Sequence, residues 1–116
     1  KKKKKKKKDS EEWLSVSKKF NETMSSTITS ITRIQNQLLW RKYTSARNRL
    51  KEKLQKDPPE LQLFHGTSKT DPVDVYNGEV GFDMRFSRKG MWGEGSYFAE
   101  KARFTLFFEK FTLLIY

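Results

Sequence analysis

An α+β fold is what this 116-residue sequence predicts, and three observations carry it. Two long stretches place apolar residues at helical spacing. Several short β-branched or apolar runs are bounded by glycine or proline. The length, with 34% hydrophobic and 34% charged residues, allows one small domain at most. Such a domain buries only roughly 65% of the surface its unfolded chain exposes, so it is stable alone only when its elements complete a core.

Behind eight lysines, Ser10 is placed to cap a helix whose Trp13, Val16, Phe20 and Met24 form one apolar face. Residues 25–35 are ambiguous, because Ile28, Ile31 and Ile34 fit a helix face. Thr27, Thr29 and Thr32 crowd the same run with more β-branched side chains, and their stiffness favours a strand. Asn36 then caps a clear amphipathic helix carrying Leu39, Tyr43, Ala46 and Leu50, which must stop by Asp57 because Pro58 and Pro59 follow. Leu61, Leu63 and Phe64 read as a strand that delivers His65-Gly66-Thr67 into a loop. Asp71-Pro72 is an N-cap and N1 pair with Gly78 as the C′ residue, predicting one or two helical turns over 72–77. Gly90, Gly93 and Gly95 punctuate the chain before Ser96-Tyr97-Phe98-Ala99, which fits a short buried strand. From Glu100, the spacing of Phe104, Phe107, Phe108 and Phe111 predicts a second amphipathic helix.

Composition narrows the chemistry. No cysteine is present, which removes disulfides, thiolate metal sites and a cysteine nucleophile, and the single His65 removes histidine-rich zinc clusters. No apolar run has the length of a membrane span, and no apolar segment follows the leading lysines, so we expect a soluble intracellular protein, nuclear or cytoplasmic, without membrane attachment. The formal charge is +11, but Lys1 to Lys8 supply eight of those charges, leaving 17 basic against 14 acidic residues, a surplus of +3. A run of like charges repels itself, so these lysines read as a disordered, solvated tail able to make weak nucleic-acid contact. The equal alternative is a low-complexity end with no role. Gly90, Gly93 and Gly95 lack the dinucleotide fingerprint spacing, no Gly-Lys-Ser/Thr forms a phosphate loop, and no G-x-S-x-G elbow presents a serine to His65.

What remains is His65-Gly66-Thr67 and, downstream, a glycine-rich loop feeding Tyr97-Phe98-Ala99. Taken singly, a histidine at a strand end is more often structural, and aromatics after glycines are more often core. The ordered set L-F-H-G-T, G-F-D and G-M-W-G-E-G-S-Y-F-A, preceded by I-T-R-I-Q-N-Q-L-L-W-R-K-Y, resembles the catalytic domain of poly(ADP-ribose) polymerases, closest to their mono-ADP-ribosylating branch. The resemblance runs from Trp13 to about Phe108 and implies a split antiparallel β-structure of the ADP-ribosyltransferase type with flanking helices, holding NAD in a cleft. It also implies a strand up to Ile34 and a helix after Asn36.

The resemblance implies roles residue by residue. His65 matches the first member of the family's His-Tyr-Glu signature and would bind ribose hydroxyls, and Gly66 would clamp the nicotinamide carboxamide with its main chain. Thr67 belongs to the same NAD-binding turn, and Tyr97 matches the signature tyrosine beside the nicotinamide ring. Thr105 stands where the family usually has a serine bonding the carboxamide, and Phe108 where it usually has a stacked tyrosine. Phe104 replaces a frequent tyrosine or lysine. The activity implied is transfer of ADP-ribose from NAD to protein acceptors, the chain itself included, with His65 and Tyr97 at the centre and no metal. The third signature position lies beyond Tyr116. Residues 1–10 then form a basic low-complexity tail and 11–116 the incomplete N-terminal half of the catalytic domain, a fragment inactive by itself. The rival readings are a non-catalytic binding module with a basic tail, and a ligand-free α+β scaffold.

Overall fold

In the computed structural model, which describes residues 2–67, 70–83, 85, 87–105 and 110–112, helices alternate with small two-stranded antiparallel sheets. The first helix, α1 (Glu11–Asn21), starts where Ser10 Oγ accepts the Trp13 N–H at 3.2 Å, and it buries Trp13 and Val16. Beyond its end, Met24 joins Phe64 and Ala102 in a small apolar cluster, with Phe20 packed edge-on against Phe64.

The lysine run is a correction to the expected disorder. Lys2–Lys5 form β1, antiparallel to β2 (Thr32–Gln35), and Lys6 N–H donates to the Ile31 carbonyl at 2.9 Å. The pairing uses main-chain groups, which any side chain allows, and Glu12 offsets charge by pairing with both Lys6 and Arg33. The strand expected over residues 25–35 is confined to Thr32–Gln35, the segment that finds a partner.

Asn36 caps α2 (Gln37–Leu54) through its Oδ1, which accepts the Leu39 N–H at 3.3 Å. Its amide also donates to the carbonyls of Tyr76 (3.0 Å) and Gly78 (3.2 Å), tying the start of α2 to the end of α3 (Pro72–Tyr76). That short helix has the expected Asp71 cap and supplies Val75 and Tyr76 to a second cluster with Ile34, Val73 and Phe82. On α2 only Leu39 is buried, while Leu50 and Trp40 on its outer turns stay open to solvent. Beyond Gln55, which closes α2 in the left-handed conformation, Arg47 reaches Asp57 and Glu60, and Lys51 pairs with Asp57 at 2.9 Å.

Three expected elements differ. The strand predicted ahead of His65 is instead β3 (His65–Thr67) itself, because β6 (Lys110–Thr112) pairs only with those three residues and Phe64 meets Ala99 in an isolated bridge. Residues 88–95 make a hairpin of β4 (Arg88–Gly90) and β5 (Gly93–Gly95), whereas Ser96–Phe98 leave the ladder because Tyr97 spends its polar groups elsewhere. The helix expected from Glu100 is a 3-10 turn, Ala102–Thr105, closed by the Thr105 hydroxyl on the Ala102 carbonyl, and Phe111 lies in β6. Phe107 and Phe108 lie outside the described residues.

Candidate functional site

Two sequence-distant motifs meet at one β-bridge. Phe64 N–H donates to the Ala99 carbonyl at 2.7 Å, and Ala99 N–H returns the bond to Phe64 at 2.9 Å. The bridge sets His65 against Tyr97, with Nδ1 of the ring 2.8 Å from the Tyr97 carbonyl. A carbonyl can only accept, so Nδ1 is assigned the proton and Nε2 the acceptor lone pair of the neutral ring. Burial lowers the His65 pKa below its ordinary 6.5, an effect the Tyr97 bond partly opposes. The imidazole is therefore neutral at physiological pH, able to donate at one nitrogen and accept at the other.

Phe82 and Phe98 complete a ring triangle around that imidazole. Their centroids lie 4.8 and 5.2 Å from His65 and 4.8 Å from each other. Both residues stand inside the G-F-D and Y-F-A strings, yet spacing along the chain carries no sign that they converge on the histidine. Phe82 is in turn held by the α3 cluster, so the cap at Asn36 is linked through α3 to the imidazole.

Gly66 occupies the key backbone position. Because successive residues of a strand direct their N–H and C=O groups to opposite sides, and Phe64 spends its pair on Ala99, His65 and Thr67 face β6. Gly66 is thereby turned toward the Tyr97 side, where β5 and the following residues form no ladder with it. The Gly66 residue is buried, and its N–H and C=O share that side. Thr67 Oγ1 is also buried and has no hydrogen-bond partner among the described residues.

Tyr97 approaches the site through its carbonyl, while its side chain runs to the β4–β5 hairpin. The hydroxyl donates to the Gly93 carbonyl at 2.6 Å and accepts the Trp92 N–H at 3.1 Å. The ring lies so close to Gly90 that an added Cβ would stand 2.6 Å from Cζ. Thr105 is buried with its hydroxyl turned back onto Ala102, and the position of Phe108 lies outside the described residues. His65, Gly66, Thr67 and the Tyr97 carbonyl therefore come together, and the Thr105 hydroxyl is engaged within its own turn.

The family described as the poly(ADP-ribose) polymerase catalytic domain matches residues 10–106. Over 101 residues the chain is 46% identical to a probable poly(ADP-ribose) polymerase of Dictyostelium discoideum, covering 83% of this chain and 30% of that protein. It is 35% identical over 97 residues to the human protein mono-ADP-ribosyltransferase PARP14, with 81% of this chain and 5% of that protein covered. Mouse protein mono-ADP-ribosyltransferase PARP10 is 33% identical over 101 residues, with 81% and 10% covered. The chain thus spans less than a third of the length of each of these relatives.

Proposed function

Since the chain belongs to the poly(ADP-ribose) polymerase catalytic-domain family, we propose that it serves the transfer of ADP-ribose from NAD to protein acceptors, with release of nicotinamide. The observation that carries this is the buried Gly66 peptide, whose N–H and C=O both face the Tyr97 side. A donor and an acceptor side by side complement a primary carboxamide, and buried polar groups without partners are costly enough to favour a ligand that satisfies them. The unpartnered Thr67 hydroxyl supports a polar ligand at the same strand.

NAD supplies a glycosidic carbon–nitrogen bond that breaks with its electron pair going to nicotinamide. The acceptor nucleophile forms the new bond to the ribose carbon and loses its proton to solvent. Gly66 holds the carboxamide, and His65 offers Nε2 to a ribose hydroxyl while Nδ1 stays fixed on the Tyr97 carbonyl. Fixing both sides of the scissile bond removes the freedom that opposes reaction in solution. The Phe82 and Phe98 rings cover part of the imidazole, which strengthens those hydrogen bonds by lowering the local dielectric. In this reading Tyr97 acts as a positioning residue through its carbonyl, and Phe108 supplies a stacking face.

We assign the described sheets and helices to part of a split antiparallel ADP-ribosyltransferase domain. The share of each relative that is covered supports this, as do Leu14, Trp40, Leu61 and Phe104, each more than half exposed. The same exposure favours a second reading, in which the chain acts without catalysis as a docking module.

A chimera tests the first reading. With residues 10–106 grafted in place of the matching segment of the Dictyostelium relative, we expect labelling by tagged NAD, lost in His65→Ala. Undiminished labelling in that variant would overturn the site assignment.

A further inference from the structure

We propose that β1 and β2 together form a binding strip for the phosphate backbone of nucleic acid, and that Arg33 of β2 belongs to it as fully as the lysines do. The inference is independent of the transferase reading. Eight lysines face only Asp9, Glu11 and Glu12 in the first twelve residues, so the arm carries a large local surplus of positive charge. What the fold adds is order. Pairing with β2 holds the arm extended, so Lys4 and Lys6 follow each other on one face about 6.8 Å apart.

The register then sets Lys4 directly opposite Arg33, two like charges on one face that Glu12, paired with Arg33, offsets only in part. Both are exposed. Glu12 shows how such an anion is held: Lys6 reaches one of its oxygens, and Arg33 Nη1 stands 3.2 Å from the other. Cations from the arm and from β2 thus already converge on a single carboxylate, and a phosphodiester chain carries a row of such groups. Neither strand contributes an aromatic ring for base stacking, so the contacts are to phosphates and are blind to sequence. Phosphate binding would also reinforce the β1–β2 pairing, making the arm more ordered when bound.

Fluorescence anisotropy on the 116-residue chain, with labelled oligothymidylate and a duplex of equal length over a salt series, tests this. Each phosphate contact contributes about 0.7 to the slope of log K against log salt for a single strand and about 0.9 for a duplex. Arg33→Gln is expected to flatten the slope by about one such step. Lys6→Pro, which removes the N–H bonded to Ile31, is expected to flatten it more than Lys6→Gln, which removes only the charge. An Arg33→Gln slope equal to that of the parent would identify a loose tail and overturn the strip, as would equal effects of the two Lys6 variants. Binding to phosphatidylserine vesicles with the same Arg33 dependence, and none to either oligonucleotide, would assign the surface to membranes instead.

Discussion

Asn36→Ala is the perturbation whose cost is best defined by the geometry. The side chain is buried and makes three hydrogen bonds, one as the N-cap of α2 and two to the carbonyls of Tyr76 and Gly78. Loss of an N-cap costs about 1 kcal/mol, and each of the two lost amide–carbonyl bonds about 1 kcal/mol more, so the variant should lose about 3 kcal/mol. That equals roughly a hundredfold change in a local opening equilibrium. Amide hydrogen exchange reads it directly, at Leu39 and Trp40 in the first turn of α2 and at Asn77, which bonds to Val73 across α3. Asn36→Asp separates the two contributions, because a carboxylate still caps α2 but cannot donate to α3. We expect Leu39 and Trp40 to stay protected in that variant while Asn77 loosens. If Asn36→Ala accelerates all three amides less than about threefold, the buried amide does not join the two helices and the reasoning fails.

Because His65 is the sole histidine, its proton titration is unambiguous, and its midpoint should fall below 6.5. The folded state then binds fewer protons than the unfolded state, so this contribution to stability is complete above about pH 6.5 and is lost as pH falls below it. A midpoint at or above 6.5 would refute the desolvation. Gly90→Ala should displace the Tyr97 ring and break its bond to Gly93, costing about 1–3 kcal/mol, and tyrosine ring shifts in the NMR spectrum check it. The isolated 116-residue chain should release no nicotinamide from NAD, since it spans only 30% of the relative it matches at 46% identity and supplies only part of the proposed domain. Nicotinamide release by that chain would refute it.

Local chemistry was readable wherever one residue decides it. Ser10, Asn36 and Asp71 cap helices because a short polar side chain next to an apolar periodicity has few other uses, and all three do so. Strands were less readable, since a strand exists only where a partner edge meets it. Leu61 and Leu63 have strand-like composition but no ladder, whereas four lysines that repel one another pair with β2 because main-chain groups ignore side-chain charge. His65, Gly66 and Thr67 were visible as a motif. The engagement of Tyr97 by carbonyl rather than ring was not, because it depends on how Gly90 lets the ring leave toward the hairpin.

That hairpin predicts an uneven tolerance to substitution. At its tip, Met91 and Trp92 are 88% and 86% exposed, and Tyr97 uses only the main-chain N–H of Trp92. Side chains at 91 and 92 are therefore free to drift under selection without moving the tyrosine. Gly90 faces the ring, and Gly93 holds φ near 99°, so these positions admit almost nothing else. A saturation library across residues 90–93 should show two permissive columns flanked by intolerant ones. The two permissive positions are where labels or reporter groups can be attached without disturbing His65.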